Sequence, residues 1–252
     1  MTAGVLAALL AAAALAADPD AFVSGAIKDC TACDLSGRDL RERDFRRVRL
    51  DRANLRSSDL TKASLFRASL VRADFSGAQL KDANLNLVDA KWSDFQRADL
   101  GNALLYEADF SSANLAGANF RAARAARARF NQANLTGATF AGADLRGARL
   151  AGAKLAGADL RSATMNGQNF RGADLRGIDF RMSDMIEADF TGADLREAQL
   201  AGVNLFGAIF HDADLRGTSF EGANLENAVL TNAKIEGANF DAAIMPNGRR
   251  ME

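Results

Sequence analysis

Residues 131–160 read NQANLTGATFAGADLRGARLAGAKLAGADL. Counted in fives, the stretch places Leu or Phe at 135, 140, 145, 150, 155 and 160, and Ala two places before each. The pattern extends outward in both directions. From Leu35 to Phe240 every residue at a multiple of five is Leu, Phe, Met or Ile, except Ala90 and Ala125. The small residue two places earlier is Ala in most repeats (Ala53, Ala63, Ala68, Ala73 and on to Ala238), most often followed by Asp or Asn. The motif is A-(D/N)-(L/F)-x-x, and no insertion breaks its register.

A period of five excludes an α-helix. Five residues advance about 500°, or about 140° net, so the large apolar side chains would scatter around the cylinder. In an extended chain, residues two apart share a face. Ala53 and Leu55 then point inward, and Asn54 and Arg56 outward. Because five is odd, the chain must turn a corner in every repeat to restore the phase. Glycine is frequent where that corner falls, as at Gly77, Gly117, Gly137 and Gly142, and a residue without Cβ accepts a tight turn most readily.

The run from about Cys33 to Met245 resembles the pentapeptide-repeat family. The resemblance implies an all-β fold, a right-handed quadrilateral β-helix with four pentapeptides and therefore 20 residues per coil. About ten coils at roughly 4.8 Å each give a rod of roughly 50 Å. Leu and Phe then stack in four internal columns, each side chain contributing about 1.5–3 kcal/mol by burial. Phe170, Phe190 and Phe210, spaced by one coil, are expected to form a ring stack. Phe120 and Phe130 can fill the space beside Ala125; Leu85 and Phe95 do so less completely beside Ala90.

The flanks suggest three further segments. Ala3–Ala17 is apolar but shorter than the roughly 20 residues a bilayer span needs. Residues 1–16 are expected to be a secretory signal, with Ala14-Leu15-Ala16 as a small-x-small cleavage site, although no Lys or Arg precedes the apolar run. That places the mature protein in the periplasm or outside the cell, with no membrane span after cleavage. Residues 17–32 are expected to cap the first coil, with a short helix over 19–27 announced by Asp18 and Pro19. Residues 33–245 form the rod and 246–252 a short tail in which Pro246 suits termination and end-to-end dimers are conceivable.

Composition narrows the functions. The 252 residues carry a formal charge of −1, which gives neither the basic footprint of a nucleic-acid binder nor the acidic one of a nucleic-acid mimic. His211 is the sole histidine, and carboxylates follow the repeat, so no catalytic group, metal site or cofactor site is expected. Cys30 and Cys33 precede the first clean repeat. Zinc would need about four ligands, and a redox motif would need a βαβ setting. A disulfide stapling the first coil and a pair of buried thiols both remain open. Similar Cys-x-x-Cys pairs in the resembled family are consistent with a capping role.

Residues 20 apart share a face, which allows surface columns to be read. Asp174, Asp194 and Asp214 form one column, and Arg176, Arg196 and Arg216 the next; mutual neutralisation is the expected outcome. Arg121, Arg124, Arg127 and Arg129 form a candidate anion site with no acid between them. Phe66, Tyr106, Ile186 and Phe206 occupy outward positions on one face, with Ile209 and Val229 beside them. Exposed apolar surface of this kind marks interaction sites. Tyr106, Ile186, Phe206 and Ile209 are therefore the candidate protein-binding residues, for an unknown partner or a second copy. The leading reading is a non-enzymatic, exported, protein-binding rod. The resemblance also implies an alternative, a DNA-mimicking protein that binds type II topoisomerases such as gyrase. The near-zero charge and the expected export both weigh against that alternative.

Overall fold

The computed structural model describes residues 18–252; the expected signal, 1–16, lies outside the described residues. The chain enters through one helical turn, α1 (Pro19–Val23), shorter than the 19–27 expected. Asp18 is its N-cap and accepts a hydrogen bond from the Asp20 N–H at 2.9 Å. The helix stops at Ser24, and Gly25 follows with φ 82°. Phe22 lies buried and stacked on Phe45, centroids 5.1 Å apart, so α1 lays one aromatic ring over the entrance of the core.

From Asp29 to Ile244 the repeat governs the chain. Ala53 and Leu55 are buried, while Asn54 is half-buried and Arg56 exposed. The corner is a turn closed by the Ala53 N–H donating to the Leu50 carbonyl at 3.0 Å. Its third residue, Arg52, has φ 58°. Every corresponding position from Ala32 to Ala242 has positive φ, whether or not it is glycine. The left-handed corner is thus a requirement of the architecture, and glycine only relieves its cost, roughly 1 kcal/mol for a residue with Cβ.

Residues 54–58 show how all five N–H groups of one repeat are satisfied, as buried or half-buried backbone demands. Leu55 and Ser57 donate to the next coil, at Asp74 (2.7 Å) and Ser76 (3.0 Å). Asn54 donates to the previous coil at Cys33 (2.9 Å), and Ser58 closes its own turn on Leu55 (3.2 Å). The fifth, on Arg56, donates to the Asn54 side-chain Oδ1 at 3.2 Å. This last bond explains the Asp or Asn of the motif: a short side-chain acceptor caps the N–H two residues on.

The coil is 20 residues long. Parallel bridges join each such residue to the one 20 later, beginning with Asp29–Arg49 and ending with Asn224–Ile244, four to a coil. The ladder consists of single-residue bridges and not of strands, because each side is extended for only about three residues before the next corner. Two neighbouring rungs are absent: Arg149 does not bridge Asn169, and Lys154 does not bridge Asp174.

Inside, the side chains form columns. Phe170, Phe190 and Phe210 stack with centroids 5.1 and 4.9 Å apart. Phe120 and Phe130 approach edge-on at 5.8 Å on either side of Ala125, and Phe95 meets Phe110 edge-on at 5.3 Å near Ala90. At the far end the tail folds back: Ile244 forms an antiparallel bridge with Arg250. It covers one corner only. Leu230 and Phe240 of the last coil stay half-buried and Ile235 is 48% exposed.

Candidate functional site

The surface is set by two outward positions per repeat, the bridge residue and the one two places later. Where these are Asp and Arg they hold each other. Arg196 Nε donates to Asp194 Oδ1 at 2.9 Å and Nη2 to Oδ2 at 2.6 Å. Arg216 and Asp214 repeat that fork at 2.8 and 2.6 Å. The guanidinium hydrogen bonds, helped by the Arg216 backbone N–H and charge against the pull of burial, hold Asp214 down at about 2. The Arg column therefore has no free positive row to offer an anion. Exposed pairs of this kind stabilise by only about 0–1 kcal/mol each.

The four arginines of the candidate anion site turn to different surroundings: Arg121 lines a surface cavity with Arg161 and Arg181, and the other three meet separate partners. Arg127 lies over the Tyr106 ring at 5.8 Å, donates to its Oη at 3.0 Å and reaches Glu107 at 3.5 Å. Arg129 reaches Asp109 at 3.6 Å. Arg124 bridges on to Asp144 in the next coil and lowers its carboxyl electrostatically, behind the larger effect of Arg146. The acids absent from the linear stretch come from the coils below and above. Asp109 is the most enclosed of them. Burial alone would raise its carboxyl, yet hydrogen bonds from Ser111 and the charges of Lys91 and Arg129 hold it below the ordinary value. Stacking by 20, applied to acids as well as to arginines, would have exposed this neutralisation in the sequence.

The apolar positions separate into two patches. Tyr106 is 40% exposed and is engaged by Arg127, while Phe66 is half-buried beneath Arg67 at 5.3 Å. Four coils further on, roughly 19 Å at about 4.8 Å per coil, Ile186 and Phe206 follow one another on the same face, with Ala126, Arg146 and Asn166 intervening. Phe206 is 36% exposed and Ile186 half-buried. Ile209 bridges Val229 beside them, and Val229 is 43% exposed. This second patch runs on toward the half-open last coil.

Cys30 and Cys33 are paired and buried, with Cα atoms 5.3 Å apart, inside the span a disulfide bridges. His211 lies 3.1 Å from Asp212 on the surface. No cluster of three His, Cys, Asp or Glu suited to a metal occurs among the described residues. None of the helices among the described residues is long and apolar enough to cross a membrane.

This geometry defines a solenoid of pentapeptides presenting fixed side-chain columns. The family model for pentapeptide repeats matches in overlapping segments from residue 29 to residue 245. The chain belongs to the pentapeptide-repeat family. Similar solved structures include HetL, a pentapeptide repeat protein involved in heterocyst differentiation regulation from the cyanobacterium Nostoc sp. strain PCC 7120. It is 27% identical over 92% of this chain and 97% of its own, with a TM-score of 0.42. A pentapeptide repeat protein of the Arabidopsis thaliana thylakoid lumen is 28% identical over 49% of this chain and 73% of its own, TM-score 0.32. QnrB1, a plasmid-mediated fluoroquinolone resistance protein, is 22% identical over 82% and 91%, TM-score 0.32. No curated protein matches the chain by sequence.

Proposed function

We propose that the chain is a non-enzymatic, exported rod, coiled as a right-handed quadrilateral β-helix, that binds another protein through the apolar patch of its C-terminal half. The supporting observation is the succession of Ile186 and Phe206 at outward positions of adjacent coils, joined by Ile209 and Val229 on the neighbouring face. Arginine, threonine or asparagine fills the same outward position in many other repeats, as at Arg146, Thr136 and Asn166. Apolar and aromatic side chains on a rigid frame lose little conformational entropy on docking, which favours binding.

The test uses tagged native chain and an Ile186→Asp/Phe206→Asp variant, each captured with its partners from the cell envelope fraction. Both positions face outward, so the variant keeps its circular dichroism and melting temperature, and the specific partner band disappears. An unchanged set of partners refutes the patch. Fractionation with intact mass measurement tests the location: a species beginning near Ala17, and two hydrogens light through a Cys30–Cys33 disulfide, is expected. A cytosolic species retaining Met1 refutes export and turns attention to the topoisomerase-directed alternative.

A further inference from the structure

The two missing rungs lie side by side, between the coil of Arg149 and Lys154 and the coil of Asn169 and Asp174. Their hydrogen bonds are missing too. The N–H groups of Gly147, Leu150, Gly152, Leu155 and Gly157 lack the acceptor in the next coil that the same positions have elsewhere, and Asn169 and Asp174 lack theirs in the previous coil. The rungs on either side, Asp144–Thr164 and Asp159–Asp179, keep their bridges, the second with only the Leu160 N–H to Asp179 carbonyl bond, since the Asp179 N–H also lacks its acceptor in the previous coil. The result is a slot across two of the four faces. A cavity of about 850 Å³ lies between its lips at Leu150 and Phe170, within the size range of ligand pockets, about 300–1,000 Å³. A second, of about 630 Å³, continues it past Lys154 and Asp174.

The cause is legible in the packing. From Ala53 to Ala243 the inward position two places before each core residue is Ala, Ser, Thr or Val, with two exceptions, Gln168 and Ile178. Both are buried and flank the face of Asp174. Excess volume at a position fitted to a methyl group displaces backbone, and here it lifts one coil from the next. Gln168 is also a polar side chain 97% enclosed, and its Oε1 has no hydrogen-bond partner. Its amide nitrogen reaches only the Asn169 carbonyl, at 3.5 Å, one of the acceptors the lost rung left free.

We propose that this slot binds an extended, acidic polypeptide segment by backbone pairing. The free donors Leu150 and Gly152, and again Leu155 and Gly157, are two residues apart, the spacing at which a strand presents acceptors along one edge. The free Asn169 and Asp174 N–H groups face the same gap from the other lip, and the Gln168 Oε1 awaits a donor inside it. The charge of the segment follows from the lower lip, because Asp174 across the gap is already held by Arg176, and Glu197 is offset by Arg196 in the same lining. Arg149 and Lys154 replace the usual Asp or Asn at the bridge position, and neither forms an ion pair among the described residues. Acidic side chains alternating with apolar ones would meet these two cations while their neighbours cover Leu150 and Leu155. This assignment is independent of the Ile186–Phe206 patch.

The experiment is hydrogen exchange on the full chain, with and without a blocked Glu-Val-Glu-Val-Glu-Val peptide and its Lys-Val counterpart. Without peptide, the amides of 147–157 exchange at least tenfold faster than those of 127–137, one coil below. The Glu-Val peptide slows them at least tenfold, and the Lys-Val peptide binds at least tenfold more weakly. A Gln168→Ala/Ile178→Ala variant restores small residues, closes the rungs and loses both fast exchange and peptide binding; the Ile186→Asp/Phe206→Asp variant keeps both. Protected amides in the free native chain overturn the slot. Fast exchange that the Glu-Val peptide leaves unchanged overturns the ligand.

Discussion

Truncating Phe190 to alanine tests whether the internal columns hold the rod together. Phe190 is fully buried, stacked on Phe170 at 5.1 Å and on Phe210 at 4.9 Å, and edge-on to Phe180 at 6.4 Å. The backbone around it is fixed by the coil ladder, with its own N–H bound to the Ile209 carbonyl at 2.7 Å. The walls therefore cannot collapse into the space the ring leaves. A Phe→Ala change in such a site costs about 3–5 kcal/mol. With a urea dependence of about 3 kcal/mol per molar, the midpoint falls by about 1–1.7 M. Phe190→Leu costs less, since Leu150 and Leu230 occupy the same column. The assay is urea denaturation followed by circular dichroism and by the fluorescence of Trp92, the sole tryptophan, five coils away. Coincident transitions show that the coils melt together. Separate ones show that the loss is confined to nearby repeats, as nearest-neighbour coupling in a solenoid allows. A midpoint shift equivalent to less than about 1 kcal/mol, well below the range for a truncated core ring, refutes the stacked column.

The corners give a second prediction. Arg97 is exposed with φ 57°, so Arg97→Gly relieves left-handed strain and, after the extra freedom of the unfolded chain is subtracted, stabilises by about 0.5 kcal/mol. Gly142 has φ 70° and open space around its Cβ direction, so Gly142→Ala costs about 0.5–1 kcal/mol through backbone strain alone; thermal melts of both variants check the signs. The Asp–Arg forks predict acid sensitivity. Asp39, Asp44, Asp159 and Asp214 are held at about 2, first of all by hydrogen bonds from the arginine two places later. Carboxylates lowered in the folded state contribute stability above their unfolded value of about 3.9 and lose it as pH falls toward 2. The melting temperature should drop across that window, less steeply in Asp159→Asn; a flat profile between pH 4 and 2 contradicts the forks.

Much of this was open to reading because five does not fit a helix and 213 of the chain's residues, 33–245, keep one register. The inward position of Leu55, the stack at Phe190 and the helix start at Asp18 all follow from local pattern. The corners were less legible. Glycine at Gly77 or Gly142 advertises positive φ, but Trp92 and Arg97 adopt it too and carry no such sign. Arg127 and Arg129 carry no visible partner in the linear sequence because their acids, Glu107 and Asp109, stand 20 residues away in sequence and one coil away in space. The slot did have a signal, two bulky residues at Gln168 and Ile178 in a column of small ones. Its effect depends on how far packed coils yield, which sequence alone does not quantify.

The corner and the coil set two different quanta for change in length. Removing one residue leaves one repeat too short to make both its side and its corner. Removing five keeps every later Leu and Phe inside, yet rotates each downstream surface column by one face, so that Ile186 and Phe206 would no longer align with Tyr106. Only a deletion or duplication of twenty leaves core and surface both in phase, since each bridge joins residues 20 apart. A lineage built on this ladder can lengthen or shorten its rod a whole coil at a time without disturbing what its faces display, while a five-residue change redraws the pattern of side chains in a single step.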